Sequence, residues 1–328
     1  RRGGRRRGCR RRRHGVPSDG GRRLATDLVQ LTVCDCLVAL PVATGGHTLF
    51  AKNSDRPPGE DQVVEWHPPR VDHGPLRTTH IEIAPHGGAT HGCLLSRPAW
   101  CWGAEHGIND AGVAIGNEAI YTTLDPREAP EALIGMDLVR LGLERAATAT
   151  AAVEVVTSLL DRYGQGGSGH DPARFPHPRP YWSSFLIADP VRAYVVETSG
   201  RTWAVEDVDP AIGTRATSNR TTIPSFDAEH RHPRQPVERL VDPRWNASNA
   251  VLARRPVDRT ALAEHLRSHD SCAEPGWSVC MHVDGVEETT ASMIAELRSD
   301  GAPHRVWTVI GHPCEHEYTE HLVGPPGA

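Results

Sequence analysis

Short alternating runs of apolar and polar residues fill the chain from Cys34 to Asn117, and they predict strands between Pro and Gly breaks. Cys34 to Pro41 and Phe50 to Arg56, with Gly45-Gly46 between them, read as a hairpin. Val63-Val64-Glu65-Trp66, Thr79-His80-Ile81-Glu82-Ile83 and Thr90 to Ser96 follow as further strands. Gly107 to Gly112 reads as a turn into the strand Val113-Ala114-Ile115. The period then lengthens. Ile134, Leu138 and Leu141 share one face of a helix over Ala132 to Ala146, and Ala152, Val155, Val156, Leu159, Leu160 and Tyr163 mark a second, ended by Gly164. Alternation resumes in a hairpin, Ser184 to Asp189 and Ala193 to Thr198, with strands near Trp203 and Ile212. A helix from Arg259 to Ser268 capped by Asp258 and strands at Ala291 to Leu297 and Val306 to Ile310 complete the pattern. Short connections make the strands antiparallel, and the order of elements fits two packed antiparallel sheets with helices outside.

Charge divides the chain in two. Residues 1 to 33 hold 11 Arg against Asp19 and Asp27, while the remainder has 25 basic and 39 acidic groups. The first 33 residues therefore read as an Arg-rich leader or propeptide, disordered or removed, and residues 34–328 as one domain. Asp27 and Gln30 break the apolar stretch that a signal peptide needs. The acidic body argues against nucleic acid or an anionic membrane as partner, and no run of about 18 apolar residues predicts a membrane span. Eight irregularly spaced cysteines suit a reducing compartment, so a cytoplasmic location is expected. The sequence leaves a homo-oligomer open.

The first hairpin carries the candidate chemistry. A cysteine is most often a small buried apolar residue. Cys34 has a second reading: cleavage before it would create an α-amine near neutral pKa, able to serve as general base for the thiol on the same residue. Lys52, the sole lysine of the chain, would favour the thiolate, and Asp55 would accept a hydrogen bond from the α-amine. Cys36 is expected on the opposite side of the strand.

The run Cys34 to Pro41, the stretch Lys52-Asn53-Ser54-Asp55-Arg56, Leu95 to Trp100, Trp102-Gly103-Ala104-Glu105, Gly112 to Ala119, Gly135 to Arg145 and Thr289 to Met293 together resemble the secernin family. That family is similar to dipeptidase A-type cysteine peptidases and, more distantly, to bile salt hydrolase and penicillin V acylase. The resemblance spans Cys34 to His312. It implies the four-layer αββα sandwich of N-terminal nucleophile hydrolases and a cysteine amide hydrolase, most simply a dipeptidase acting on small peptides or acyl amides. A catalytically silent relative with a regulatory role is the alternative. By the same resemblance Asn117 and Asn219 match two asparagines that line the oxyanion site; capping a turn is the ordinary use of either. Lys52 stands where bile salt hydrolases carry Arg. Their later catalytic Arg has no secure counterpart, although Ser292 lies in the region. Trp100, Trp102 and Glu105 fall in a loop that could line the substrate pocket, or the tryptophans could serve the core.

No cofactor or metal is expected. The sets His86, His91, Cys93, His106 and His312, Cys314, His316, His321 lack paired zinc-ligand spacing, and the glycine pairs lack a phosphate-loop context.

Overall fold

A computed structural model describes residues 33–270 and 273–324; the leader expected at residues 1 to 33 lies outside it except for Val33. Sixteen strands form among the described residues. Seven of them, β1 (Cys34–Ala39), β2 (Thr48–Arg56), β12 (Thr214–Thr217), β13 (His282–Val283), β14 (Glu287–Leu297), β15 (His304–Ile310) and β16 (Thr319–Val323), make one antiparallel sheet in the order β12-β1-β2-β14-β15-β16, with β13 on β14. Another seven make the second, in the order β11-β10-β9-β8-β7-β6-β3. These are β3 (Gln62–His67), β6 (Cys93–Pro98), β7 (His106–Asn109), β8 (Ala114–Ile120), β9 (Trp182–Ala188), β10 (Ala193–Ser199) and β11 (Thr202–Asp207). The pair β4 (Leu76–Arg77) and β5 (Glu82–Ile83) stands apart.

Three apolar cores show how the layers stack. Between the sheets, Cys36, Val38, Phe50, Met293 and Ala295 meet Leu94, Ile108, Ala114, Leu186 and Val195. Outside the second sheet, Leu95, Ile115, Phe185 and Ile187 pack on helices α1 (Gly135–Arg145) and α2 (Ala149–Tyr163). Outside the first, Leu37, Ala39, Ala51 and Ile294 pack on α3 (Asp242–Leu252) and α4 (Arg259–Leu266). Helix, sheet, sheet, helix is the expected α+β sandwich, reached because each strand sends alternate side chains to two different cores.

Local chemistry sets the ends of the helices. Thr148 accepts from the Ala151 N–H at the start of α2, Gly164 closes it with φ +76°, and Asp258 caps α4 through the Ala261 N–H. The strand expected at Thr79 begins later, because Thr78 N–H bonds Ile81 O in a turn and Thr79 Oγ1 donates to Asp137. Gly107 is mid-strand rather than in a turn: a Cβ there would stand 2.5 Å from Leu94 O, so the residue is small to let β6 approach. The turn itself falls at Gly112, φ +85°. Ile212 likewise sits in a turn before β12, and the sequence pattern missed both β16 and α3.

Candidate active site

Cys34 opens β1 and pairs with Ser54 of β2, so that Cys36 stands opposite Lys52. Residues two apart on a strand share a face, and Cys36 therefore lies on the same side as Cys34, between the sheets, against the expectation drawn from sequence. Gly116 of β8 explains the fit from the other sheet. A Cβ there would meet Lys52 Cδ at 2.6 Å and Cys36 Sγ at 2.7 Å.

Lys52 is wholly buried and donates from Nζ to Asn117 O at 2.8 Å and to Asn53 O at 3.4 Å. Burial works against its ammonium, but Cys34, Cys36, Glu118 and Glu105 outweigh it and hold the pKa above the ordinary lysine range. Glu118 accepts from Thr217 Oγ1 at 3.1 Å, and burial pushes its pKa up to about 7 despite Lys52. The Cys34 thiol, 3% exposed, is pushed up to about 12 by burial; Lys52 opposes that shift and Asp55 and Glu105 add to it. With Val33 still attached, Cys34 is thus a protonated thiol.

On the other side of the sheet two buried carboxylates meet a buried guanidinium. Arg244 of α3 donates to Asp35 Oδ2 at 2.6 Å, Asn219 Oδ1 at 3.1 Å, Cys34 O at 3.4 Å and Leu240 O at 3.0 Å. It comes within 4.0 Å of Asp55 Oδ2. That approach favours a charged Asp55, yet the guanidinium is already committed to Asp35, and burial prevails: the Asp55 carboxyl is pushed up to about 8, eased by Arg244 and by Thr289. Asp55 Oδ1 accepts from Thr289 Oγ1 at 2.6 Å, and Thr289 Oγ1 accepts from Met281 N–H at 2.8 Å. Asp55 Oδ2 has no hydrogen-bond partner among the described residues.

Asn219 sits against Cys34. Its Oδ1 accepts from the Cys34 backbone nitrogen at 2.7 Å while its Nδ2 donates to Ala119 O at 3.0 Å. Asn117 is placed differently. Strand alternation turns its side chain to the α1 side, where its Nδ2 would lie 2.7 Å from a Cβ on Gly135, and only its backbone carbonyl reaches Lys52. Ser292 also faces away from Cys34, donating to or accepting from Tyr318 Oη at 2.7 Å. Glu105 belongs to the site: it is buried, 3.7 Å from Arg56, and pushed up to about 7 by burial against the pull of Arg56 and Lys52. Trp100 reaches this group through Glu60, which accepts from its Nε1 at 2.9 Å and from Arg56. Trp102 does not, since its ring lies under the Arg140 guanidinium at 4.3 Å and packs on the α1–α2 core.

Val33, the residue before Cys34, is 1% exposed. Its carbonyl accepts from Asp55 N–H at 3.1 Å, and its side chain packs with Val237, Leu240, Val241, Trp277 and Met281. Sequence reasoning missed Arg244, Thr289 and this apolar pocket. The one available signal for Arg244 was Pro243, a residue favoured at the first turn of a helix, which would have announced α3.

No protein-family model matches the chain. Among solved structures it is similar to penicillin V acylase from Agrobacterium tumefaciens at 12% identity, TM-score 0.47, covering 84% of this chain and 83% of that one. It is similar also to a mutant of conjugated bile acid hydrolase from Clostridium perfringens, at 11% identity and TM-score 0.48, covering 88% and 96%. A third is the Caenorhabditis elegans ortholog of N-acylethanolamine-hydrolyzing acid amidase, at 14% identity and TM-score 0.45, covering 81% and 94%.

Proposed function

We propose that the chain is a cysteine-nucleophile amide hydrolase whose nucleophile is unmasked by cleavage between Val33 and Cys34. One observation carries this reading: the Cys34 nitrogen is gripped by Asn219 Oδ1 at 2.7 Å, and the Arg244 guanidinium that reaches this oxygen at 3.1 Å also comes within 4.0 Å of Asp55 Oδ2, a buried oxygen that lacks a hydrogen-bond partner among the described residues. An ordinary backbone amide has one N–H to give and needs one acceptor. An α-amine has two or three, and Asp55 Oδ2 would serve as the second acceptor.

Cleavage uses the same atoms as turnover. The Cys34 sulfur attacks the Val33 carbonyl carbon, the C–N bond breaks as the nitrogen takes up a proton and becomes the free Cys34 amine, and the resulting thioester is hydrolysed by water to a Val33 carboxylate and the Cys34 thiol. The Asp55 N–H, 3.1 Å from Val33 O, is a fixed donor to the oxygen on which charge develops. In turnover the α-amine then accepts the thiol proton, Lys52 favours the thiolate, and Asn219 and Asp55 hold the amine. Asn117 contributes its carbonyl to Lys52 rather than an oxyanion donor. The pocket that holds Val33 suits an apolar residue on the acyl side of the scissile bond. The resemblance to secernins and dipeptidase A-type peptidases favours a small peptide, and hence dipeptidase activity, over a non-peptide acyl amide.

Intact mass and N-terminal sequencing of the wild type and Cys34→Ala test the proposal. A wild-type chain beginning at Cys34, active on dipeptides and inhibited by a thiol alkylator, with the variant uncut and inactive, is the expected result. A wild type that keeps Val33 would leave no α-amine and would favour the silent regulatory reading instead.

A further inference from the structure

Far from any paired motif in the sequence, four soft donors converge. His269 just beyond α4, Cys280 and His282 at the start of β13, and Cys314 in the loop after β15 bring one ligand atom each within 4.8 Å of all the others. Cys280 Sγ lies 3.5 Å and Cys314 Sγ 3.3 Å from His282 Nε2. A tetrahedral zinc ion, with Zn–S of about 2.3 Å and Zn–N of about 2.0 Å, sets such S···N edges at about 3.5 Å. The His282 ring is held edge-on to His269 at 4.9 Å and stacked on His312 at 4.1 Å, so its orientation is fixed from two sides. The two sets set aside in the sequence for want of zinc spacing are not gathered in this way: His91 bonds Asp110, His106 bonds Ser54 and His321 bonds Thr308, and of them Cys314 alone joins the tetrad.

We propose that His269, Cys280, His282 and Cys314 form a zinc site of the two-cysteine, two-histidine type. Its role is structural, because four protein donors complete a tetrahedral shell and leave no position for substrate or water. The alternative trio His282, His312 and Glu315 shares His282 but offers no thiolate. Its two other members stand next to the tetrad as neighbours.

The position of the site gives it a consequence. Cys280 and His282 flank Met281, whose side chain helps enclose Val33 and whose N–H holds Thr289, which in turn holds Asp55. Zinc at this point would clamp segment 277–283 to the exit of α4 and to the loop at 314. It would therefore act on the candidate nucleophile as a positioning group, not as a reactant, and its presence is independent of whether the chain hydrolyses amides.

Metal analysis of the full chain, purified with a phosphine reductant and no chelator, should give about one zinc per chain. Cobalt(II) exchanged into the site should show intense tetrahedral d–d bands with a thiolate charge-transfer band. Cys280→Ser and Cys314→Ser should each lower zinc affinity by about tenfold or more, and Cys93→Ser should not. Cys314 lies in a half-exposed loop, so its variant remains informative should the buried Cys280→Ser fail to fold. The proposal is overturned by protein that is isolated without zinc and gives no tetrahedral cobalt spectrum, by unchanged zinc content in folded Cys314→Ser, or by peptide mapping that finds Cys280 and Cys314 joined as a disulfide.

Discussion

Asp55 is placed where a carboxylate is costly, and replacing it separates stability from chemistry. Its folded pKa lies at about 8, whereas an unfolded Asp titrates near about 3.9. The folded state thus binds the extra proton between these values, and stability is fully present below the unfolded pKa and lost as pH rises toward the folded one. Integrated from about pH 5 to about pH 8, this one group removes about 4 kcal/mol. Asp55→Asn keeps an oxygen for Thr289 and carries no charge, so its stability should fall over the same interval by about 4 kcal/mol less than that of the parent. Urea unfolding at both pH values checks this. Both chains should carry Cys34→Ala, so that neither is cut. With Cys34 restored, Asp55→Asn keeps the backbone N–H that faces Val33 O and should still be cut, but should turn over more slowly because a carboxyl oxygen that would hold the α-amine is replaced, although the fold is no less stable. Equal pH slopes in parent and variant, or a variant weaker at the higher pH, would show that Asp55 is an ionised partner of Arg244 and would refute the burial argument.

Other substitutions probe the remaining parts. Asn219→Ala should slow cleavage and turnover more than about tenfold, since it removes the acceptor that holds the Cys34 nitrogen, whereas Asn117→Ala should change kcat by less than about tenfold and act on stability through the α1 side; steady-state kinetics beside thermal melts distinguish them. Arg244→Met strands Asp35 without its cation at zero exposure and should cost about 3–5 kcal/mol in denaturant unfolding, a loss that shrinks as the pH is lowered and Asp35 protonates. Gly116→Ala pushes a methyl into Lys52 and Cys36 and should destabilise by about 1–3 kcal/mol, with a rise in the alkylation rate of Cys36.

The layers of the fold were legible because apolar periodicity survives in β1, β2, α1, α2 and β9, where each face meets a core. Legibility failed where polar contacts overrule pattern: Thr79 is drawn into a turn by Asp137, and α3 is held by Arg244 and its buried partners rather than by an apolar stripe. The hairpin that carries Cys34, Lys52 and Asp55 could be read from local order alone. The face that each residue presents could be read too, had strand parity been applied to Cys36 and Asn117. By contrast, Arg244 and Asp35 stand 209 positions apart, and the tetrad joins the close pair Cys280 and His282 to Cys314, 32 positions beyond His282, so local spacing encodes neither group in full.

The sole lysine is also the least accessible amine the chain could have, with zero exposure and its ammonium tied to a strand carbonyl. Acylating dyes, amine crosslinkers and enzymes that conjugate modifiers to lysine would find no ε-amino target on the folded molecule. A protein of this kind is invisible to lysine-directed tagging until it opens, so attachment at Lys52 becomes a count of unfolding events. Cleavage before Cys34 would leave one other amine in the chain, the terminal one at the nucleophile itself.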